Sequence, residues 1–139
     1  MTIQCKKPRI LIVDDNAVIR DLIKEFYEDC NFELIEAVNG QEAVEMARTC
    51  LFDLILLDIQ MPVLSGYEVA AILKNDRTVK DIPIVVISGQ EREEVDDRIK
   101  GLYDGYVNKP FKKTHLMKAT MKYVQSIMHE QEDTQKKNV

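Results

Sequence analysis

The stretch Leu54-Ile55-Leu56-Leu57-Asp58 decides the expected fold, because four apolar residues run directly into a carboxylate. An uninterrupted apolar run of this length is typical of a strand that is buried on both faces of a parallel sheet. The run is too short to cross a membrane, and it is too uniformly apolar for a strand with one face in water. We therefore expect helices on both sides of this strand, with Asp58 at its carboxyl end on the rim of the sheet.

Strands and helices are predicted to alternate along the rest of the chain. Short runs rich in β-branched residues predict strands at 9–13, 32–37, 84–87 and near 106–107. Apolar residues at spacings of three and four predict helices from 16 to about 29, around 40–47, from 66 to about 75, around 95–101 and over 117–128. This alternation predicts an α/β fold, a single doubly wound (βα)5 three-layer sandwich whose five-stranded parallel sheet has the flavodoxin-like order 2-1-3-4-5.

Composition favours one compact domain in a reducing compartment. The chain has 139 residues, of which 45% are hydrophobic, and we divide it into an N-terminal extension (1–8), a domain (9–128) and a polar, frayed C-terminal tail (129–139). A net charge of −5 argues against direct binding to nucleic acid. The three cysteines are odd in number and lack metal-ligand spacing, and residues 1–8 contain no apolar signal segment. We expect a cytoplasmic protein without a membrane anchor.

Polar residues follow four of the predicted strands at the points where those strands end. In a doubly wound sheet the carboxyl ends of the strands share one edge, so the fold should gather five side chains there: Asp14, Asp15, Asp58, Ser88 and Lys109. Three clustered carboxylates repel one another unless a hard cation neutralises them, and Mg²⁺ prefers oxygen ligands. A carboxylate beside Mg²⁺ and a lysine can attack phosphorus, so the predicted product is an aspartyl phosphate.

The ordered combination of these residues resembles the receiver domain of two-component response regulators, of the stand-alone type found in chemotaxis regulators. The matching features are Asp14-Asp15, Asp58, Met61-Pro62 with Gly66 downstream, Ser88, and Lys109-Pro110-Phe111. The resemblance covers roughly Arg9 to Met128, which is most of the chain.

The resemblance implies a role for each matching position. Asp58 resembles the phosphoacceptor, and Asp15, Asp58 and the backbone carbonyl of Gln60 would ligate Mg²⁺, with Asp14 in support. Ser88 resembles the switch hydroxyl that binds the phosphoryl group, and Lys109 resembles its cationic partner. Tyr106 matches an aromatic residue that turns inward when Ser88 moves, and the Lys109-Pro110 bond is expected to be cis.

The same resemblance implies partners and a mode of action. The phosphoryl group would come from a phosphohistidine on a sensor histidine kinase or a histidine phosphotransfer protein, and the only catalysis expected is self-phosphorylation and self-dephosphorylation. Phosphorylation would change the face built by the fourth helix, the fifth strand and the fifth helix. On this face the start of the fourth helix is acidic and the fifth helix is rich in lysine. The acids are Glu91, Glu93, Glu94, Asp96 and Asp97, and the lysines are Lys112, Lys113, Lys118 and Lys122. We hypothesise that it docks a downstream protein or a second copy by charge complementarity.

Two other functions stay open at this point. A small Mg²⁺-dependent phosphohydrolase of the haloacid dehalogenase type would also use an aspartate nucleophile. Such enzymes need an acid two residues after the nucleophile, whereas Asn16 follows Asp14 and Gln60 follows Asp58 at that distance. The other possibility is a receiver-like binding module that is not phosphorylated. Simpler roles exist for single residues, since Ser88 could only cap a helix and Tyr106 could only pack.

Overall fold

A five-stranded parallel sheet forms the middle layer of the computed structural model, which describes residues 7–90, 99 and 101–137, with side chains as far as residue 127. The elements are β1 Arg9–Val13, α1 Ala17–Phe26, β2 Glu33–Ala37, α2 Gly40–Thr49, β3 Leu54–Asp58, α3 Gly66–Lys74, β4 Ile84–Ser88, β5 Gly105–Asn108 and α4 Lys113–Lys137. Every strand pairing is parallel, and the strand order is β2-β1-β3-β4-β5. The predicted α/β fold class and strand order are confirmed.

Strand β3 lies at the centre of the sheet, and all five of its residues are buried. Ile55 and Leu57 pack in one apolar cluster with residues of α2 and α3. Leu54 and Leu56 pack in a second cluster with residues of α1 and α4. Burying one such side chain contributes about 1.5–3 kcal/mol, which explains why an unbroken apolar run occupies the central strand. The two clusters make the sheet the middle of three layers, as the sequence predicts.

Several boundaries differ from the sequence prediction. Helix α1 ends at Phe26 rather than near residue 29, because the next residues form a turn that the Cys30 N–H closes on the Tyr27 carbonyl at 2.9 Å. Strand β2 begins at Glu33 instead of Phe32, and α3 ends at Lys74 with Asn75 as its cap. The predicted helix around 95–101 lies mostly outside the described residues.

Helix α4 differs most from its prediction. It continues to Lys137, whereas the sequence suggested a frayed segment from residue 129. The division of the chain at residue 129 stays a prediction. The glutamates, glutamines and lysines of this segment have good helix propensity and can extend a helix without an apolar stripe. The predicted stripe of Met117, Met121, Val124 and Met128 is only partly right, and the side chain of Met128 lies outside those that the structure describes. Among the described side chains of this helix, Leu116, Thr120 and Val124 are fully buried, and Met117 and Met121 flank them. Among the described residues, no helix is both long and apolar enough to span a membrane.

Candidate functional site

Three carboxylates meet at the carboxyl edge of the sheet, as the sequence predicts. Oxygen atoms of Asp14, Asp15 and Asp58 all lie within 4.8 Å of one another. Asp58 is the last residue of β3 and is 4% exposed, and Asp14, just after β1, is 2% exposed. Asp15 is exposed to solvent. The set therefore combines two recessed acids with one that faces water.

The turn that carries Asp14 and Asp15 is held by local hydrogen bonds. The Asp14 N–H donates to the Ala37 carbonyl at 3.2 Å, which extends the β1–β2 pairing by one residue. The Asp14 Oδ1 accepts the Asn16 N–H at 2.9 Å, and the Asn16 side chain in turn caps α1 by accepting the Val18 N–H. The sequence Asp-Asp-Asn thus places one acid against the strand and begins the helix directly afterwards.

Lys109 brings a positive charge into this cluster. Its Nζ lies 3.2 Å from Asp14 Oδ2 and 3.4 Å from Asp58 Oδ1, so it pairs with both buried acids. The Lys109 N–H donates to the Ser88 carbonyl at 2.7 Å, which fixes the backbone where β5 ends. The bond between Lys109 and Pro110 is cis, as expected.

Burial and a neighbouring carboxylate disfavour the charged form of Asp58. Burial, followed by the neighbouring carboxylate of Asp14, raises the pKa of Asp58 to about 6, although Lys109 acts in the opposite direction. The ammonium of Lys109 therefore does not outweigh the combined effect of burial and Asp14 on the pKa of Asp58. The donor set consists of carboxylate oxygens, which suits a hard divalent ion such as Mg²⁺. The residues at this edge fit the predicted metal.

The start of α3 packs directly against the backbone at the end of β3. Gly66, the first residue of α3, lies so near β3 that an added Cβ would be 2.3 Å from the Asp58 carbonyl oxygen. This contact explains the glycine in the motif that follows Asp58. The Gln60 N–H donates to Asp58 Oδ1 at 3.2 Å. Metal ligation by the Gln60 carbonyl stays a prediction.

Ser88 and Tyr106 act on the same residue, Gln90. The fully buried Ser88 hydroxyl oxygen accepts the Gln90 N–H at 3.0 Å. The Tyr106 hydroxyl donates to the Gln90 carbonyl at 2.6 Å. Ser88 therefore closes a local turn, and that turn joins the carboxyl end of β4 to the half-buried Tyr106 on β5. Its simpler role as a cap of the predicted fourth helix concerns residues outside those that the structure describes.

Sequence reasoning missed two further partners of Gln90. The Asn108 side chain donates to the Gln90 carbonyl at 2.6 Å, and the Tyr67 hydroxyl donates to the Gln90 side-chain oxygen at 3.0 Å. Asn108 could have been found, because it lies two residues after Tyr106 and so shares its face of the strand. No sequence signal indicates Tyr67, whose contact depends on how α3 packs.

Comparison with known proteins identifies the family. Fold and site define a doubly wound α/β protein with an acidic, oxygen-rich edge. The sequence profile of the response regulator receiver domain matches residues 10–121. The chain belongs to the response regulator receiver domain family. Members of this family are phosphorylation-dependent switches of two-component signalling, as the resemblance implies, and this membership favours the receiver interpretation over a phosphohydrolase.

Individual relatives agree with this assignment. The polar-differentiation response regulator DivK of Brucella anthropi is 33% identical over 116 residues, which cover 83% of this chain and 94% of DivK. The structure of the chemotaxis response regulator CheY4 of Vibrio cholerae matches with a TM-score of 0.79 and 28% identity, over 85% of this chain and 99% of CheY4. The response regulator TrrA of Thermotoga maritima matches with a TM-score of 0.75 and 34% identity, over 84% of this chain and 98% of TrrA. The chain spans half the length, or less, of several other curated relatives.

Proposed function

We propose that Asp58 accepts a phosphoryl group from a phosphohistidine of a sensor histidine kinase or a histidine phosphotransfer protein. The observation that carries this proposal is the position of the Lys109 ammonium, 3.2 Å from Asp14 and 3.4 Å from Asp58. A carboxylate oxygen of Asp58 forms the new bond to phosphorus while the bond from phosphorus to the imidazole nitrogen breaks. The electron pair of that bond stays with the imidazole, and Lys109 stabilises the charge on the transferring oxygens.

Asp14, Asp15 and Asp58 are the side chains that would hold Mg²⁺, together with the Gln60 carbonyl. The bound ion would supply positive charge to the phosphoryl oxygens and so lower the barrier to transfer. The relative TrrA was crystallised in complex with Mg²⁺-BeF, which supports the same ion at this edge. The rise in the pKa of Asp58, caused first by its burial, also supports a need for added positive charge.

The hydrogen bonds around Gln90 support a route from the site to the surface. A phosphoryl group on Asp58 offers acceptor oxygens to the Ser88 hydroxyl. A shift of that hydroxyl towards the site weakens its bond to the Gln90 N–H. Because Tyr106 is bonded to the carbonyl of the same residue, it is the side chain that responds. We therefore assign Ser88 and Tyr106 to the switch.

The surface around β5 and α4 is the proposed docking face for a downstream protein or a second copy. A cavity of about 580 Å³ opens there, lined among others by Tyr106, Asn108, His115, Lys118, Lys122 and Tyr123. Lys118 and Lys122 are exposed, which favours an acidic partner. The acids predicted for the fourth helix lie outside the described residues.

The docking face can be tested by reversing its charge. Sedimentation of the phosphorylated chain should show association that weakens in high salt and in the double variant Lys118→Glu, Lys122→Glu. The variant Lys80→Glu is the control, because Lys80 is exposed between α3 and β4. Association that is indifferent to both salt and the double variant would remove the electrostatic part of this proposal.

Phosphoryl transfer is tested by the mass of the intact protein. Incubation with acetyl phosphate and Mg²⁺ should add one phosphoryl group to the wild type and none to Asp58→Asn. The variant Asp53→Asn makes the same change just before the other end of β3, where the Asp53 carboxylate accepts the Arg9 N–H, and it should be phosphorylated normally. A phosphoryl group that persists in Asp58→Asn would assign the acceptor role to another residue.

A further inference from the structure

Arg20 lies behind the acid cluster and joins two segments of the fold. It belongs to the first turn of α1, and its side chain is 13% exposed. Its Nη1 donates to the Asp14 carbonyl oxygen at 2.8 Å, and its Nε donates to Glu36 Oε1 on β2 at 3.0 Å. The other oxygen of Glu36 pairs with Lys24 Nζ at 3.1 Å. One guanidinium therefore connects β2 to the turn after β1.

We propose that Arg20 is a positioning residue for the divalent cation, held in place by Glu36. This inference rests on the proposed function of the site. The carbonyl that Arg20 binds belongs to the peptide bond between Asp14 and Asp15. Rotation of that peptide plane would swing the carboxylate of Asp15 relative to that of Asp14, so the contact with Arg20 fixes the relative placement of two of the three acids. Hydrogen bonds to the groups that carry metal ligands orient those ligands.

The shape of the side chain matters as well as its charge. The planar guanidinium reaches two acceptors on different segments at once, through two of its nitrogens. A lysine offers its three N–H donors from a single nitrogen, whereas the two acceptors here are bonded to two different nitrogens of the guanidinium. The proposal therefore predicts that Arg20→Lys keeps the charge and still loses the positioning.

The sign of the effect separates positioning from simple electrostatics. Arg20 carries a positive charge close to a site for a cation, so its removal should tighten Mg²⁺ binding if Coulomb repulsion were all that mattered. Positioning predicts the opposite, because the acids lose their fixed arrangement. A role confined to fold stability would lower the melting temperature and leave the Mg²⁺ affinity of the folded chain unchanged.

The chain offers a matched control pair. Arg9 on β1 and Glu33 on β2 form a similar ion pair, with Arg9 Nε 3.0 Å from Glu33 Oε2. Those two residues are register partners at the start of the strands, whereas Asp14 follows the end of β1. The variant Arg9→Gln therefore removes another Arg–Glu pair to β2, this one from β1, without touching the acid cluster.

The test is a calorimetric titration of the full chain with MgCl₂, alongside thermal melting of each variant. Arg20→Gln and Arg20→Lys should each weaken Mg²⁺ binding by about tenfold, and Arg9→Gln should leave it unchanged. In phosphorylation by acetyl phosphate, Arg20→Gln should raise the half-saturating Mg²⁺ concentration while the rate at saturating Mg²⁺ approaches that of the wild type.

Three results would overturn this proposal. They are unchanged or tighter Mg²⁺ binding by folded Arg20→Gln, an equal effect of Arg9→Gln, and failure of the wild type to bind Mg²⁺. If Arg20→Gln does not fold, Arg20→Lys keeps the charge and should still weaken Mg²⁺ binding, and an unchanged affinity in that variant would overturn the proposal. A wild type that binds Mg²⁺ but is not phosphorylated on Asp58 would refute the proposed function alone, since the titration reports on Arg20 independently.

Discussion

Replacing Asp58 by asparagine should stabilise the metal-free protein at neutral pH. In the folded chain, burial and the neighbouring Asp14 raise the pKa of Asp58 from 3.8 to about 6. A carboxyl group with a raised pKa holds its proton more tightly in the folded state than in the unfolded state. Folding stability therefore falls as the pH rises from about 4 to about 6, and the loss persists above that range.

The size of this effect follows from the shift. Two pKa units correspond to about 3 kcal/mol. Solvent at the open edge of the sheet screens part of it, so we expect about 1–2 kcal/mol at pH 7. Asparagine keeps an oxygen that can accept the Gln60 N–H, and Lys109 keeps its ion pair with Asp14. The substitution therefore removes few stabilising interactions from the folded state.

Urea unfolding followed by far-UV circular dichroism, between pH 4 and pH 7 in EDTA, measures this difference. Asp58→Asn and the wild type should have similar free energies of unfolding near pH 4, and the variant should become more stable as the pH rises. Added Mg²⁺ should stabilise the wild type more than the variant, and so reduce the difference between their free energies of unfolding. A variant that is less stable than the wild type at pH 7 without metal, or a gap that does not change with pH, would refute this account of the site.

Three further predictions test other parts of the structure. Gly66→Ala should destabilise the fold by about 1–3 kcal/mol in urea unfolding, because its Cβ would clash with the Asp58 carbonyl; Gly89→Ala meets no atom within 4 Å, and an equal loss there would contradict the clash. Hydrogen bonds from Thr78, followed by one from Arg48, lower the pKa of Asp76 to about 2. The ionised Asp76 carboxylate therefore stabilises the folded state above about pH 4, and this contribution is lost as the pH falls towards 2. Asp76→Asn should therefore be less stable than the wild type at pH 7 and equal to it near pH 2 in an acid unfolding titration, and a constant difference would refute the assignment. Lys109→Met should slow phosphorylation by acetyl phosphate by about a hundredfold without weakening Mg²⁺ binding, as measured by radiolabel incorporation and calorimetry, and an unchanged rate would exclude Lys109 from the transfer.

The fold was predictable where burial dictates residue type. A central strand buried on both faces tolerates little except large apolar side chains. The apolar run at 54–57 therefore predicted that this strand lies inside the sheet and that helices cover both of its faces. The location of the acids followed from the topology, because strand ends share an edge. The end of α4 was not predictable in this way, since the sequence of residues 129–137 is polar and charged and carries no apolar period.

The supporting contacts were harder to foresee than the site itself. Arg20 lies in a helix pattern in which a charged residue is expected on the solvent side, and only the fold shows that it turns back to the Asp14 carbonyl. Thr120 occupies a fully buried position of α4 because its hydroxyl is hydrogen-bonded to the buried Tyr27. Such partners are far apart in the chain, and the hydrophobic pattern contains no information about them.

Chemical mapping of the phosphorylated residue tests the central claim most directly. Borohydride reduces an acyl phosphate to an alcohol, so treatment of the phosphorylated chain followed by peptide sequencing should find homoserine at position 58 and aspartate at positions 14, 15 and 53. Homoserine at any of those other positions, or a phosphoryl group that borohydride does not reduce, would contradict the assignment of Asp58 as the acceptor.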